Sequence, residues 1–266
     1  MSKTFRNIYL GLILFFLSGP LVVLSGVSLN AKKLLFFPPD GTSLRWYVEL
    51  LTKNEWLVPV QNSLTIAVAS SLLALSVALP LAYFLWRYRI FYARMLFTLG
   101  IAPFLLPPVI TALGFLSFWV TVGMYGKMLS TMISHAVFFV TLPLVTISLG
   151  FESIDKEIVE AAETMGANSQ KIFRTIILPL IRPYMISGLA FAFVLCLNEY
   201  IVAYMVSGFT VETLPIKIFN SLRYGYTPVM ASVTVMFVLL AALVFGLIGW
   251  LGNLPKLLGA MNPEDR

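Results

Sequence analysis

Glu199 is the ionisable side chain best placed to do chemistry, because it stands where charge is expensive. In Leu197-Asn198-Glu199-Tyr200 it is the one ionisable group well inside a long apolar run. Holding a carboxylate at the centre of a bilayer costs roughly 3 kcal/mol on insertion scales, so the group is expected to face a cavity, a partner subunit or a solute. With Asn198 and Tyr200 adjacent and Tyr204 one turn on, it offers a cationic solute a counter-charge, hydrogen bonds and aromatic faces. The competing expectation is a helix-end carboxylate paired with a lysine or arginine at a subunit interface.

Little else supports covalent chemistry. The only histidine, His135, stands near the start of an apolar run, where an interfacial or packed residue is expected rather than a catalyst or metal ligand. Cys196 is the single cysteine, so no internal disulfide or thiolate metal site can be built, and it is read as packing. The chain has no GxxxxGK(S/T) loop, nucleophile elbow or HExxH sequence. No catalytic residue, metal site or cofactor is therefore expected in this chain, and any ATP hydrolysis must come from a partner.

The most charged stretch between two long apolar runs is Gly150 to Pro183, and the rest of the chain is built to hold it. Ile158, Val159, Ala162 and Met165 share one face at helical spacing, and Ile172, Phe173, Ile176 and Ile177 repeat the pattern. Ser153 or Asp155 can cap the first helix, Gly166 can take the positive φ that ends it, and Ser169 can cap the second. Pro179 and Pro183 are expected to deny that second helix a long continuation. The first helix carries Glu152, Asp155, Glu157, Glu160 and Glu163 against Lys156 alone, a face that anionic lipid headgroups repel and a basic protein groove attracts.

Within this elbow, Glu160-Ala161-Ala162, then Gly166 after three residues, then Ile176 after nine more and Leu178-Pro179, resembles the EAA signature of binding-protein-dependent importer permeases at every position. The resemblance implies an all-α integral membrane fold of six transmembrane helices, of the type I importer permease kind, with the elbow as a cytoplasmic coupling loop. It implies that Glu160, Ala161, Ala162, Gly166, Ile176, Leu178 and Pro179 serve coupling geometry. They would dock into a dimer of ATP-binding subunits, which would hold the ATP and Mg. A homologous second permease subunit, forming a heterodimer, and a periplasmic solute-binding protein would complete the complex.

The composition agrees with a membrane protein. The 266 residues are 59% hydrophobic and 11% charged, with mean hydropathy +0.90. A net charge of +6 points to no nucleic-acid partner, because the cations are scattered between apolar runs and follow the positive-inside pattern. The uncharged stretch Ile8 to Ala31 exceeds a signal-peptide core and is expected to be retained. Spans are expected at about 8–31, 64–86, 95–122, 130–150, 184–206 and 229–251 of one membrane domain, with the elbow over 151–183.

Between the first two spans, Ser43 to Leu57 reads as an amphipathic helix whose Trp46, Tyr47, Leu50, Leu51 and Trp56 anchor it at the outer interface. The third span is interrupted by Pro103, Pro107 and Pro108, so it must be broken or kinked, either to line a translocation path or merely to pack. Arg87, Arg89 and Arg94, with no acid among them, mark a cytoplasmic loop. Six spans then place both termini and the elbow in the cytoplasm of a bacterial inner-membrane protein, with eleven of the 18 Lys and Arg on that side.

The order of an acidic residue in the fifth span, then Thr213-Leu214-Pro215-Ile216-Lys217-Ile218, Arg223-Tyr224-Gly225 and Thr227-Pro228 resembles the polyamine branch of that family, the spermidine and putrescine systems. That branch has a pair of acidic residues where this chain has Cys196-Leu197-Asn198-Glu199. The expected cargo is thus a small cationic solute such as a polyamine, with an amino-acid derivative or opine as the alternative. Asn198, Glu199, Tyr200, Tyr204, Pro107 and Pro108 are the candidate path residues. A secondary transporter using Glu199 as its ion site is a further alternative, and it leaves the elbow unexplained.

Overall fold

A computed structural model describes residues 3–88, 90–224 and 227–251. Arg89, Gly225 and the tail charges Lys256, Glu264, Asp265 and Arg266 lie outside the described residues. Among the described residues the regular elements are all helices, and one isolated antiparallel bridge pairs Asn30 with Thr42. Its contacts gather it into two units, residues 3–60 with 217–243, and residues 61–216 with 244–251.

The first unit holds α1 (Lys3–Ser28), α2 (Arg45–Thr52), the opening turns of α3 (Asn54–Tyr88), and most of α12 (Leu214–Tyr224) and α13 (Val229–Leu251). The helix expected over Ser43 to Leu57 ends at Thr52, and Lys53 takes an extended conformation before α3 begins. Trp46 and Trp56 are each only 1% exposed, so they are core residues and not the interface anchors that their position suggested. An indole buries well when its N–H finds an acceptor, and Trp46 Nε1 donates to the Asn30 carbonyl at 2.6 Å. Lys217 Nζ pairs with Glu55 Oε1 at 2.9 Å and lies over the Trp56 ring.

The second unit holds the rest of α3, then α4 (Phe91–Leu105), α5 (Pro108–Val122), α6 (Met128–Phe139), α7 (Thr141–Glu152), α8 (Lys156–Thr164), α9 (Ser169–Ile172), a π-turn (Phe173–Ile177), α10 (Leu178–Asn198) and α11 (Ile201–Ser207). Its centre is the α7–α10 pair. A Cβ on Gly188 would lie 2.6 Å from Pro143 Cα, and one on Gly150 would lie 2.8 Å from the Tyr184 ring. Between apolar helices surrounded by lipid, small residues of this kind let dispersion contacts form at close range. The alanines Ala74, Ala78 and Ala82 do the same for α3 against Leu144, Ile147 and Phe151.

Among the described residues, four helices are long and apolar enough to cross a membrane, and there are up to six if each bent pair counts as one span. The bent pairs are α4 with α5, at 111°, and α6 with α7, at 41°. The break expected at Pro107 and Pro108 is therefore present and sharp. At 15 residues, α4 and α5 each reach about 22 Å, short of the ~30 Å hydrocarbon core, so neither crosses alone. The first candidate span, Thr4–Ser28, is nearly all exposed, as befits a helix whose neighbours are lipid tails or another chain.

Candidate functional site

The elbow is built from local rules. Asp155 takes the extended conformation of an N-cap and its Oδ1 accepts from Glu157 N at 3.0 Å, so it caps α8 in preference to Ser153. At the other end Gly166 has φ +84°. Gly166 N donates to Glu163 O (2.9 Å) and Ala167 N to Ala162 O (3.0 Å), the paired bonds of a Schellman stop. A Cβ on Gly166 would meet nothing within 4 Å, so what demands glycine is the left-handed backbone and not crowding. The next helix is capped by Asn168, whose Oδ1 accepts from Lys171 N at 2.8 Å, and not by Ser169 as the sequence suggested.

The second half of the elbow departs further from expectation. Pro179 and Pro183 do not stop the helix, and Ser169–Asn198 runs on as one 30-residue span. For Pro179 the reason is the π-turn Phe173–Ile177, where Leu178 N donates five residues back to Phe173 O; Pro183 lies within α10 itself. A widened turn gives the Pro179 ring the room that an ordinary α-turn denies it. Of the signature residues, Ala162 is buried, Ile176 and Leu178 are half-buried, and Glu160, Ala161, Gly166 and Pro179 are exposed. The apolar face of α8 is narrower than its sequence period implied. Val159 and Ala162 pack inward, whereas Ile158 (48%) and Met165 (82%) point to solvent.

The end of α3 holds this elbow in place. Arg87 donates to Glu163 Oε1 at 2.6 Å. Trp86 stacks on Phe151 and Tyr83 meets Phe173 edge-on, each with ring centroids 5.3 Å apart. Trp86, Arg87, Lys156, Val159 and Glu160 line a cavity of about 180 Å³ between α3 and α8. From sequence, Arg87 reads only as a topology marker, and its pairing with an acid 76 residues away has no local signal.

The second site is the break in the fifth span. α10 ends at Asn198, Glu199 is extended (φ −76°, ψ 125°), and α11 starts at Ile201. The Glu199 carboxylate turns back onto the new helix, where Oε1 accepts from Val202 N at 2.8 Å and Oε2 from Ala203 N at 3.0 Å. His135 Nε2 lies 3.0 Å from the same Oε2, within ion-pair range but off the line of a regular hydrogen bond. The other ring nitrogen, Nδ1, sits 2.9 Å from Cys196 Sγ. The His135 and Glu199 side chains are only 1% and 7% exposed. The partner of the buried carboxylate is thus a histidine of the same chain, and not the lysine or arginine that the sequence suggested.

Around this centre, α6 carries a polar seam. Thr131 and Ser207 share a buried hydroxyl hydrogen bond, and Trp119 Nε1 donates to Ser134 Oγ at 2.7 Å. Ser130, Thr131, Ser134 and His135 are all buried. Their helical spacing inside an apolar run was the signal that could have flagged His135 as part of a buried network rather than a lone packed ring.

The candidate path residues divide into two groups. Asn198 is exposed and its Nδ2 donates to Val194 O at 2.8 Å, while the Tyr200 and Tyr204 rings stack with centroids 5.4 Å apart. Pro107 and Pro108 are exposed at the start of α5, where Thr111 Oγ1 satisfies the Pro103 carbonyl at 3.2 Å. α5 packs on α11 further along, through Ala112, Trp119, Val202 and Val206. Among the described residues, no group of three His, Cys, Asp or Glu could hold a metal ion.

Comparison with known proteins agrees with this anatomy. Residues 1–254 match the family described as binding-protein-dependent transport system inner membrane component. The chain is 34% identical over 258 residues to the putrescine transport system permease protein PotI of Escherichia coli K12, covering 94% of this chain and 89% of that one. It is 32% identical over 246 residues to the spermidine/putrescine permease protein PotC of Haemophilus influenzae, covering 92% and 95%. Among solved structures, a chain of a bacterial importer of the acidic polysaccharide alginate superposes with TM-score 0.68 at 17% identity, covering 94% of this chain and 98% of its own. One from the MetNI methionine transporter gives 0.59 at 19%, covering 78% and 97%. At those identities the structures speak for the fold alone. The match along nearly the whole chain, together with the complete signature on a capped helix-turn-helix, places this protein in the family of inner-membrane permease components of binding-protein-dependent ABC importers.

Proposed function

We propose that this permease carries a small organic cation of the polyamine class, delivered by a periplasmic solute-binding protein and driven by a partner ATPase dimer. The observation that carries the cargo is the 34% and 32% identity to putrescine and spermidine permeases over nine-tenths of the chain. The Glu199 region supports it. A carboxylate held in an apolar span, beside Asn198, Tyr200 and Tyr204, makes that half of the span attractive to a positive charge. A single carboxylate already engaged by His135 favours, as a second reading, a solute with less charge to neutralise, such as an amino-acid derivative or opine.

The elbow is the element that receives the ATPase. Glu160 and Gly166 stand exposed on a rigidly capped turn, and Ile158 and Met165 offer apolar side chains on the same helix. When ATP closes the partner dimer, its cleft carries α8. Arg87 and the Tyr83–Phe173 and Trp86–Phe151 contacts pass that movement to α3 and α7. The spans then rock against those of a homologous second permease to alternate access, with the elbow and both termini in the cytoplasm. ATP and Mg belong to the partner, and this chain breaks no covalent bond.

Uptake by proteoliposomes holding the complete complex tests the proposal. Labelled putrescine, spermidine and a neutral amino acid compete in the presence and absence of ATP. ATP-dependent uptake of either polyamine, outcompeting the amino acid, is expected. Polyamine uptake that needs no ATP would overturn the coupling scheme, and ATP-driven uptake of the neutral solute alone would overturn the cargo.

A further inference from the structure

The fifth span carries its aromatic rings beyond the break. Tyr204 lies between two partners. It stacks on Tyr200 at 5.4 Å with planes 23° apart, and its other neighbour is Phe209, at 5.7 Å and 48°. Phe209 is 78% exposed, whereas Val202, Ala203, Val206 and Ser207 on the opposite face of α11 are buried against α5 and α6. The chain reaches this arrangement through Gly208. A Cβ there would lie 2.8 Å from Tyr204 Cδ2, so only glycine lets the backbone turn closely enough to lay Phe209 against the tyrosine. Gly126 and Thr210 fix the turn, since Gly126 N donates to Val206 O at 3.1 Å and Thr210 Oγ1 donates to the Gly126 carbonyl.

Three rings, Tyr200 just before α11, Tyr204 on it and Phe209 just after it, thus form a continuous run with an exposed ring at its outer end. The outermost ring, Phe209, is left uncovered by this chain. The run suits a cation with an extended carbon chain. Aromatic faces attract ammonium groups without the desolvation that a surface carboxylate would exact, and the methylenes between the ammonium groups lie along the rings.

We propose that Phe209, with Tyr204 and Tyr200, forms an outer binding site for the ammonium groups of a linear organic cation, the first protein surface the solute meets after leaving its receptor. Phe209 is then a specificity-determining residue that the signature motifs do not mark. This inference rests on the polyamine reading above, and its test separates the two.

Equilibrium dialysis of labelled spermidine against the complete complex in lipid nanodiscs, without the solute receptor, reads the site directly. Phe209→Leu keeps bulk and removes the π-face; Phe209→Trp keeps the face. Cation–π attraction at an exposed ring corresponds to about a two- to fivefold change in Kd, so Phe209→Leu should weaken spermidine binding by about that factor. Phe209→Trp should match or tighten it. Melting of both variants should equal that of the parent, because the ring is exposed.

Equal binding by the leucine variant, or no saturable binding by the parent when the same preparation shows ATP-driven polyamine uptake with receptor, overturns this site and leaves the cargo reading standing. Absence of polyamine uptake by the parent overturns both.

Discussion

The elbow and the break in the fifth span solve the same problem, a helix that must stop and restart, in opposite ways. At the elbow the caps are local: Asp155 meets Glu157 N, Asn168 meets Lys171 N, and the turn at Gly166 meets the Glu163 and Ala162 carbonyls, in the open, among charges. At the break, Glu199 reaches back to Val202 and Ala203, but its charge is met by His135, 64 residues away on another helix and fully enclosed. The elbow's capping is settled within its own short span, while its apolar face, Val159, Ala162 and Ile172, is packed on α3 and α7. The break cannot open without stranding a carboxylate, and this ties the conformation of α11 to the packing of α6. A surface built to be pushed is joined to a core built to change only as a whole.

Stability measurements should sort the two regions. The largest effect is expected for His135→Leu, which leaves the buried Glu199 carboxylate without its side-chain partner. Removing one partner of such a pair costs about 3–5 kcal/mol, and unfolding in lipid nanodiscs should register it, with Glu199→Gln in the same chain recovering part of the loss. Full additivity of the two substitutions would contradict the pairing.

At the elbow, Gly166→Ala forces a Cβ into the left-handed region and should cost about 1–2 kcal/mol, seen as local exchange of α8 amides rather than as global melting. Asp155→Ala removes one cap and should cost about 1 kcal/mol in the same local measurement. Arg87→Ala breaks a half-exposed pair worth at most about 1 kcal/mol and should leave melting nearly unchanged while slowing ATP-driven uptake. A global melting loss for Arg87→Ala as large as that for His135→Leu would erase the distinction between the two regions.

The same contrast explains what could be read beforehand. Caps, glycine stops and amphipathic period are local physics, so the Asp155 cap and the Gly166 stop of the first half of the elbow were legible in the residues. Three features were not, for separate reasons. Pro179 acts as a stop only in a regular α-turn, and the π-turn before it removes the clash, while Pro183 sits inside α10 without ending it. Trp46 has the amphipathic look of an interface anchor until the Asn30 carbonyl satisfies its N–H and lets it sink. His135 and Arg87 find acids 64 and 76 residues away, and pairing at that range depends on packing that no sequence window contains. The three-ring run was half visible in Tyr200 and Tyr204, but Phe209 joins it only through the close turn at Gly208.

If the elbow transmits ATP hydrolysis to the spans, Gly166→Pro should uncouple the two. The φ of +84° is closed to proline, so the turn between α8 and α9 must rearrange while the spans and the Glu199 centre stay intact. ATP hydrolysis and polyamine uptake would be recorded together in proteoliposomes holding the complete complex. The account predicts normal insertion, a basal ATPase rate, and loss of receptor-stimulated uptake. Uptake at the parent rate would contradict it.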